Sequence, residues 1–225
     1  MPRERYQAEL ADLRRDVLDL ADRVVGRLDD ALEALETSDE ALAREVIEGD
    51  AAINNTYLEL EYACIDLLAL QQPVAGDLRF IAASFKIITD LERISDLAVN
   101  LGQHTLDGDE KVFEEIELRP LGEMARDLVV DAMDAYERDD ADACFRIAAR
   151  DDDLDRACKE VTDTVILELL GSRMDERGPT AMERLMADVS NLLLIVRDLE
   201  RVGDHGVNIA ARTLYMVEHD DSLIY

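Results

Sequence analysis

The sequence has no tryptophan and few of the residues that interrupt regular structure: 4 prolines and 10 glycines among 225 residues. Both residue types concentrate in turns, so their scarcity argues against a fold of many short strands joined by tight connections. Long stretches rich in Ala, Leu, Glu, Asp and Arg favour helices instead. The composition therefore predicts an all-α protein.

Basic residues are also scarce. The chain has 24 Lys and Arg against 53 Asp and Glu, which gives a formal net charge of -29. Because binding to phosphate backbones needs a basic surface, direct contact with nucleic acid is excluded as an expected function. Lysine occurs only at positions 86, 111 and 159. Such an acidic chain suits a salt-rich cytoplasm, where screening suppresses self-repulsion, and this predicts a halophilic archaeal source.

Signals for disulfides and membrane spans are absent. The three cysteines, Cys64, Cys144 and Cys158, are odd in number and have no Cys-x-x-Cys spacing, so we expect reduced core residues rather than a disulfide framework or a thiolate zinc site. There is no apolar run of membrane-spanning length and no leader pattern at Met1. We expect a cytoplasmic protein that meets a membrane only through its partners.

Sequence signatures of catalysis are absent as well. There is no nucleophile elbow, phosphate loop or dinucleotide fingerprint. His104, His205 and His219 do not form the Glu-x-x-His pattern of di-iron carboxylate bundles, which argues against an oxidase of that type. The sequence gives little support to an enzyme.

What the chain does contain is an internal repeat. The segment Asp90 to Asn100 reads DLERISDLAVN, and Asp198 to Asn208 reads DLERVGDHGVN. Upstream the match continues at a spacing of 101 residues, where Asp50 corresponds to Asp151. The added residues of the second copy fall in a loop around positions 171 to 179, where an insertion leaves the helices in phase. The repeat predicts two homologous three-helix units, residues 1–108 and 109–225.

Apolar residues spaced by three and four define the helices of the first unit. A long helix is predicted over residues 3–35, and a short one over 40–48 that follows the capping residues Thr37-Ser38-Asp39. A second long helix should begin at Asp50 and end before Pro73, and a third should cover about 77–104. The second unit is expected to follow the same scheme.

Each copy of the motif carries a Glu and an Asp four residues apart, Glu92 with Asp96 and Glu200 with Asp204. On a helix such side chains lie on one face, roughly 6 Å apart at Cβ. Both pairs interrupt an apolar stripe, and two carboxylates at a poorly solvated surface need a compensating cation or a proton. The pattern predicts one metal site per repeat, with oxygen ligands suited to hard ions. The identity of the metal stays open among iron, manganese, magnesium, zinc and calcium.

Two alternatives accompany this prediction. Arg93 and Arg201 follow the glutamates and would neutralise them in a purely structural ion-pair network, although at 100° per residue they are expected to project beside each pair. Asp50 and Asp151, at matching places on the middle helices, are further candidate metal ligands, but an aspartate at a helix start also serves as a cap.

With these residues in hand, the chain resembles the PhoU family of phosphate-signalling regulators over nearly its whole length. The most specific part of the resemblance is the motif Leu-Glu-Arg-Ile/Val-x-Asp-x-x-Val-Asn, which occurs twice. Gln72-Pro73 followed by Asp77-Leu78-Arg79 also looks like the family's first repeat, whereas the second repeat has no equivalent Asp-Leu-Arg.

The resemblance implies two tandem three-helix bundles in a cytoplasmic, commonly dimeric adaptor that binds a metal ion or cluster at each motif. It implies negative regulation of phosphate uptake through the ATPase subunit of a phosphate ABC transporter, and in bacteria also through a membrane sensor kinase. A competing hypothesis is a metal-dependent hydrolase or phosphatase that uses the same carboxylates to activate water.

Overall fold

In the computed structural model, which describes residues 2–71, 73–108, 116–171 and 179–224, the described chain forms seven helices and no strand. The helices are α1 (Pro2–Thr37), α2 (Glu40–Glu48), α3 (Asp50–Gln71), α4 (Ala75–Asp107), α5 (Arg119–Arg138), α6 (Ala141–Gly171) and α7 (Pro179–Glu218). They build two tandem three-helix bundles, as predicted: α1, α3 and α4 in the first repeat and α5, α6 and α7 in the second.

The predicted helix positions of the first repeat are confirmed within a few residues. The carboxylate of Asp39 caps α2 by accepting the backbone N–H groups of Ala41 at 2.9 Å and Leu42 at 3.1 Å. Helix α4 begins at Ala75 and ends at Asp107, slightly longer than expected. Gln72, and the loop residues 172–178 that hold most of the predicted insertion, lie outside the described residues.

The second repeat departs from the expected scheme at one place. In the first repeat α2 ends at Glu48, Gly49 caps it, and α3 begins at Asp50. In the second repeat α6 runs without interruption through the equivalent position, which is Arg150. Glycine is less favourable than arginine inside a helix by roughly 1 kcal/mol, so this exchange removes the local reason for a break. The separate short helix is therefore absent from the described part of the second repeat.

One hydrophobic core extends through both repeats. Helices α4 and α7, which carry the two motifs, pack against each other, and α1 packs against α5. Tyr136 of α5 stacks on Phe80 of α4 with ring centroids 6.2 Å apart, and its hydroxyl forms a 2.7 Å hydrogen bond with Ser84. The three cysteines are buried and unpaired, as expected. None of the described helices combines the length and hydropathy that crossing a bilayer requires.

Candidate acidic sites on the two motif helices

The motif carboxylates lie at the edge of the core rather than inside it. Ile88 and Val196, which precede the pairs on their stripes, are buried. The glutamates Glu92 and Glu200 are half-buried, whereas the side chain of Asp96 is 44% exposed and Asp204 is exposed. Each pair therefore has one carboxylate beside the core and one that faces solvent.

In the first repeat the start of α3 brings Asp50 to the motif helix. Ser95 Oγ on α4 donates a hydrogen bond to Asp50 Oδ1 at 3.0 Å, and Asn54 Nδ2 donates to Asp50 Oδ2 at 2.7 Å. Arg27 Nη2 of α1 lies 3.9 Å from Asp50 Oδ1. The sequence-predicted residue Asp50 is thus next to the motif, with both of its carboxylate oxygens already bonded by protein donors.

Arg27 is held in place by backbone as well as by Asp50. Its Nη2 donates to the carbonyl oxygen of Val46, and its Nε lies 3.4 Å from Ser95 Oγ. Gly49 leaves room for this arrangement, because a Cβ at that position would overlap Arg27 Nη1. Burial lowers the pKa of the Arg27 guanidinium, and the charge of Asp50 partly offsets that effect.

The guanidinium of Arg93 is the cation that pairs with Glu92 and Asp96. Arg93 Nε lies 3.6 Å from Glu92 Oε2, and Arg93 Nη1 lies 3.4 Å from Asp96 Oδ2. The expectation that Arg93 projects beside the pair is therefore wrong, because its long side chain folds back over both carboxylates. Burial and the charge of Asp96 still raise the pKa of Glu92 despite Arg93.

The site in the second repeat has more carboxylates and fewer hydrogen-bond donors than the site in the first repeat. Asp151 of α6 faces the motif pair, and Asp155, one turn further along α6, joins the same group. Asp151 Oδ1 is fully buried and accepts no hydrogen bond from any described residue. Burial, followed by the charges of Asp155 and Asp204, raises the pKa of Asp151 to about 6. This carboxylate is partly protonated near neutral pH unless a cation joins it.

The motif carboxylates of the second repeat, Glu200 and Asp204, also have raised pKa values. Burial raises the pKa of Glu200, and the neighbouring charges of Asp155 and Asp204 raise it further. Although Asp204 faces solvent, partial desolvation and the charge of Asp155 raise its pKa, and His205 and Arg201 act against this. Arg201 itself forms an ion pair with Asp198, at 3.6 Å between Nη1 and Oδ1. It does not fold over the pair as Arg93 does.

Small and apolar residues complete the second site. Gly203 occupies the place that Ser95 has in the first motif, and a Cβ there would overlap Leu154 Cδ2 and would also approach Leu128 and Asp151 Oδ1. A serine at position 203, the match of Ser95, could therefore donate to Asp151 only after the core repacked. The apolar side chains of Leu154 and Leu128 keep water away from Asp151. The repulsion among the carboxylates is stronger there for this reason.

Two histidines connect the repeats at the motifs. His205 Nδ1 of α7 lies 2.9 Å from Asp90 Oδ1, the first residue of the α4 motif. His104 Nε2 of α4 lies 3.4 Å from Asp198 Oδ2, the first residue of the α7 motif. Burial raises the pKa of Asp198, but the hydrogen bond with His104 and the charge of Arg197 outweigh this and lower it. The first aspartate of each motif is therefore an inter-repeat contact.

The predicted ligands can be tested for their fit to a metal ion. Within the described ranges, no three His, Cys, Asp or Glu side chains are grouped so as to hold a metal ion. In the second repeat Asp151 Oδ1 is buried and unbonded beside further carboxylates, but these side chains are not gathered around one point as metal ligands are. In the first repeat protein donors already bond both oxygens of Asp50.

Sequence reasoning did not identify Arg27, Asn54, Ser95 and Asp155 as parts of these sites. Asp155 could have been found because it stands four residues after Asp151, the spacing of neighbours on a helix face. Asn54 matches Asp155 at the 101-residue spacing of the repeat, so alignment of the two halves would have shown the exchange. Arg27 gives no local signal, because its contacts come from another helix.

A model of the PhoU domain matches residues 17–105 and again 118–213. The chain is 34% identical over 221 residues to the "Phosphate-specific transport system accessory protein PhoU homolog" of Pseudomonas aeruginosa, covering 97% of this chain and 87% of the relative. It is 35% identical over 214 residues to a protein of Thermotoga maritima with the same description, "homolog 1", covering 94% and 88%.

Solved structures agree with the sequence relatives. The crystal structure of PhoU from Pseudomonas aeruginosa superposes with a TM-score of 0.85 at 31% identity, covering 96% of this chain and 100% of that one. The regulatory protein PhoU of the phosphate transport system from Streptococcus pneumoniae superposes with a TM-score of 0.84 at 27% identity, covering 96% and 98%.

Proposed function

The chain belongs to the PhoU family, and we propose from this premise that it is a metal-binding regulator of phosphate uptake that acts by contact with a phosphate ABC transporter. Its relatives are named accessory proteins of the phosphate-specific transport system, and this observation carries the proposal. Binding of the protein restrains the transporter when phosphate is plentiful. The ATPase subunit is the partner, because it is the part of such a transporter that faces the cytoplasm.

The surface of α3 supports a role in protein binding. Leu58, Tyr62 and Ile65 recur by four and three, so they form one stripe on this helix, and they are 44%, 66% and 45% exposed. Acidic residues flank the stripe at positions 59, 61 and 66. An exposed apolar stripe with an acidic border fits a partner that presents apolar side chains bordered by basic ones.

The equivalent face of the second repeat is less apolar. Lys159 and Asp163 of α6 replace Leu58 and Tyr62 at the 101-residue spacing of the repeat, whereas Ile166, which is 42% exposed, matches Ile65. Self-association through the α3 stripe would bring two acidic borders together in a chain of net charge -29, which is unfavourable. The α3 stripe is therefore the better contact for a partner of opposite charge.

A pull-down from the source cytoplasm, at the salt concentration of that cytoplasm, tests the proposal. The wild-type protein should recover the transporter ATPase, and Tyr62→Asp with Ile65→Asp should recover at least tenfold less. Phe145→Asp on α6 is the matched control, because Phe145 is 43% exposed but lies outside the stripe. Loss of recovery in the control, or none in the double variant, contradicts the assignment of the stripe.

Uptake measurements test the regulatory direction. Deletion of the protein should leave phosphate uptake high when phosphate is plentiful, and the stripe variant should behave like the deletion. If the deletion instead lowers uptake, the protein is an activator and the proposed direction is wrong. Hydrolysis of phosphoesters by the metal-loaded protein at about 10 turnovers per second, the median rate of enzymes, would favour a hydrolase over an adaptor.

A further inference from the structure

Both helical hairpins of the molecule, α3 with α4 and α6 with α7, expose large apolar side chains near the end where their two helices are joined. In the first repeat these are Ile65 of the α3 stripe and Leu78 near the start of α4. The matched residues of the second repeat, at spacings of 101 and 108 residues, are Ile166 and Met186. Leu78 and Met186 are both 46% exposed, and the exposures of the two isoleucines are also close. Two exposed apolar positions are therefore shared by the repeats.

The second hairpin adds two more apolar side chains at this end. Leu170 of α6 is 71% exposed and stands four residues after Ile166, so the two lie on one face of the helix. Leu167 is 68% exposed and lies next to Ile166 in the chain. We call Ile166, Leu167, Leu170 and Met186 the α6–α7 face. Single exposed apolar residues are ordinary, whereas four at the end of one hairpin are typical of a contact surface.

The second repeat lacks part of the helix that covers α3 and α4 in the first. Helix α5 begins at Arg119, which matches position 18 of α1, so residues 2–17 of α1 have no counterpart among the described residues of the second repeat. In the first repeat this part of α1 lies along the hairpin. Leu13 and Leu67 line one cleft between α1 and α3, and the Arg14 guanidinium lies over the Phe80 ring of α4, 4.9 Å from its centroid.

The missing cover does not account for the α6–α7 face, because the second repeat is polar where that cover is lost. Leu67 and Phe80 are buried in the first repeat, and the matched residues are Glu168 and Asp188. Positions that lost their covering helix have thus become hydrophilic. The α6–α7 face is on other positions of the same hairpin and has stayed apolar. Its character therefore needs a reason of its own, and contact with another molecule is one.

The α6–α7 face has an acidic border, as the α3 stripe does. Exposed carboxylates stand three residues before Ile166 and Met186, at positions 163 and 183, and another follows Leu167 at position 168. Arg184 offsets one of these charges. A second copy of the chain would bring acidic border against acidic border, and anionic lipid would meet a chain of net charge -29. A partner protein that presents apolar side chains within a basic border is complementary.

We propose that the α6–α7 face is a second docking site for the partner that binds the α3 stripe, so that one chain takes two copies of that partner. The inference rests on the proposed function, which names the transporter ATPase as the partner, and extends it from one contact to two. The second site is the weaker one, because Lys159 and Asp163 stand where the α3 stripe has Leu58 and Tyr62. When both subunits belong to one transporter, binding at the first site raises the effective concentration at the second.

Sedimentation of the purified full chain with an excess of purified ATPase subunit, at the salt concentration of the source cytoplasm, counts the copies bound. The wild type should bind two subunits at saturation, the second with a Kd about tenfold higher than the first. Leu167→Lys with Leu170→Lys should lower the count to one and leave the tighter Kd within about twofold. Both side chains are mostly exposed, so the variant should fold, and circular dichroism checks this.

Two further variants identify the sites. Tyr62→Asp with Ile65→Asp should keep only the weaker site, and the control Phe145→Asp should keep both. A single subunit on the saturated wild type, or a count of two that survives Leu167→Lys with Leu170→Lys, overturns the inference. If the chain alone is a dimer and these lysines make it a monomer, the face is covered by a second copy and the inference is also wrong.

The second site can fail separately from the proposed function. One bound subunit that is lost in Tyr62→Asp with Ile65→Asp leaves the α3 contact intact and removes only the α6–α7 face. No binding of the subunit by either face overturns both the second site and the choice of the ATPase as partner. Two bound subunits in a cell where deletion of the protein lowers uptake would keep the second site and reverse the regulatory direction alone.

Discussion

The two repeats hold the same carboxylate motif and treat its charge in opposite ways. The first repeat surrounds Asp50 with a guanidinium, a hydroxyl and an amide. The second leaves Asp151 Oδ1 buried and unbonded, next to further carboxylates. A duplicated motif can thus keep its own residues while its neighbours on other helices change what the motif does. The environment, and not the motif, sets how far the charge of each motif is compensated within the chain.

Neutralising one matched aspartate at a time, in metal-free protein at pH 7, tests most directly whether the two repeats differ in charge compensation. Asp50→Asn should cost about 2 kcal/mol, because Arg27 loses the charge that compensates it. Asp151→Asn should instead stabilise by about 1 kcal/mol, since a half-buried carboxylate with a raised pKa is removed and solvent screens part of the effect. Urea denaturation measures both. If both substitutions changed the free energy of unfolding in the same direction, the difference between the two repeats would be contradicted.

The glycines at the two sites give the next largest difference. Gly203→Ala should cost about 2 kcal/mol, because its Cβ meets the core side chain Leu154 and overpacks it. Gly49→Ala should cost only about 1 kcal/mol, since its Cβ meets the flexible end of Arg27, and the better helix propensity of alanine offsets part of the loss. Thermal melts of both variants test the order. An equal loss would mean that Arg27 is as firmly packed as the core.

The dependence of the melting temperature on salt concentration tests how much of the charge repulsion lies in the second repeat. The net charge of -29 should lower the melting temperature at millimolar KCl by roughly 3–6 °C relative to molar KCl, about 1–2 kcal/mol, as screening weakens. Part of this effect should disappear in Asp151→Asn with Glu200→Gln, where the repulsion of the second repeat is relieved. An unchanged salt dependence in that variant would mean that the repulsion is spread over the surface, and no dependence in the wild type would end the halophilic interpretation.

The smallest expected effect is a dependence on pH. The folded-state pKa of Asp151 is about 6, above the value of roughly 3.9 in an unfolded chain. The folded protein therefore binds a proton more readily, and its stability should increase as the pH falls from about 7 to about 4 and decrease as the pH rises again. The stability gained by Asp151→Asn should shrink over the same window by about 1 kcal/mol. A gain that stays constant with pH would contradict the raised pKa.

The helices and the repeat could be predicted from the sequence because they depend on local signals. Apolar spacing, the Asp39 cap and the break at Gly49 act within a few residues, and the predicted helices of the first repeat are close to those observed. The paired carboxylates were found in the same way. The uninterrupted α6 shows the limit, since one exchange, Gly49 to Arg150, changes the element while the rest of the pattern is kept.

The compensation of charge could not be predicted in this way because it is tertiary. Arg27 and Ser95 are 68 positions apart in the chain, and His205 and Asp90 are 115 apart. Periodicity places each residue on a face of its own helix but does not say which face of another helix it meets. The comparison of matched positions in the two repeats is the one sequence signal for these tertiary contacts.

The packing of α4 against α7 has a consequence for synthesis of the chain on the ribosome. Leu91 and Leu97, which lie within the first motif on either side of its carboxylate pair, are buried in the core that both repeats share. Helix α7 follows every other described helix in the sequence, so the first repeat leaves the ribosome before the helix that covers part of α4 exists. At about 5–20 residues per second, the nascent first repeat exposes that face for several seconds. During this interval the acidic surface helps to keep nascent chains apart until the second half arrives.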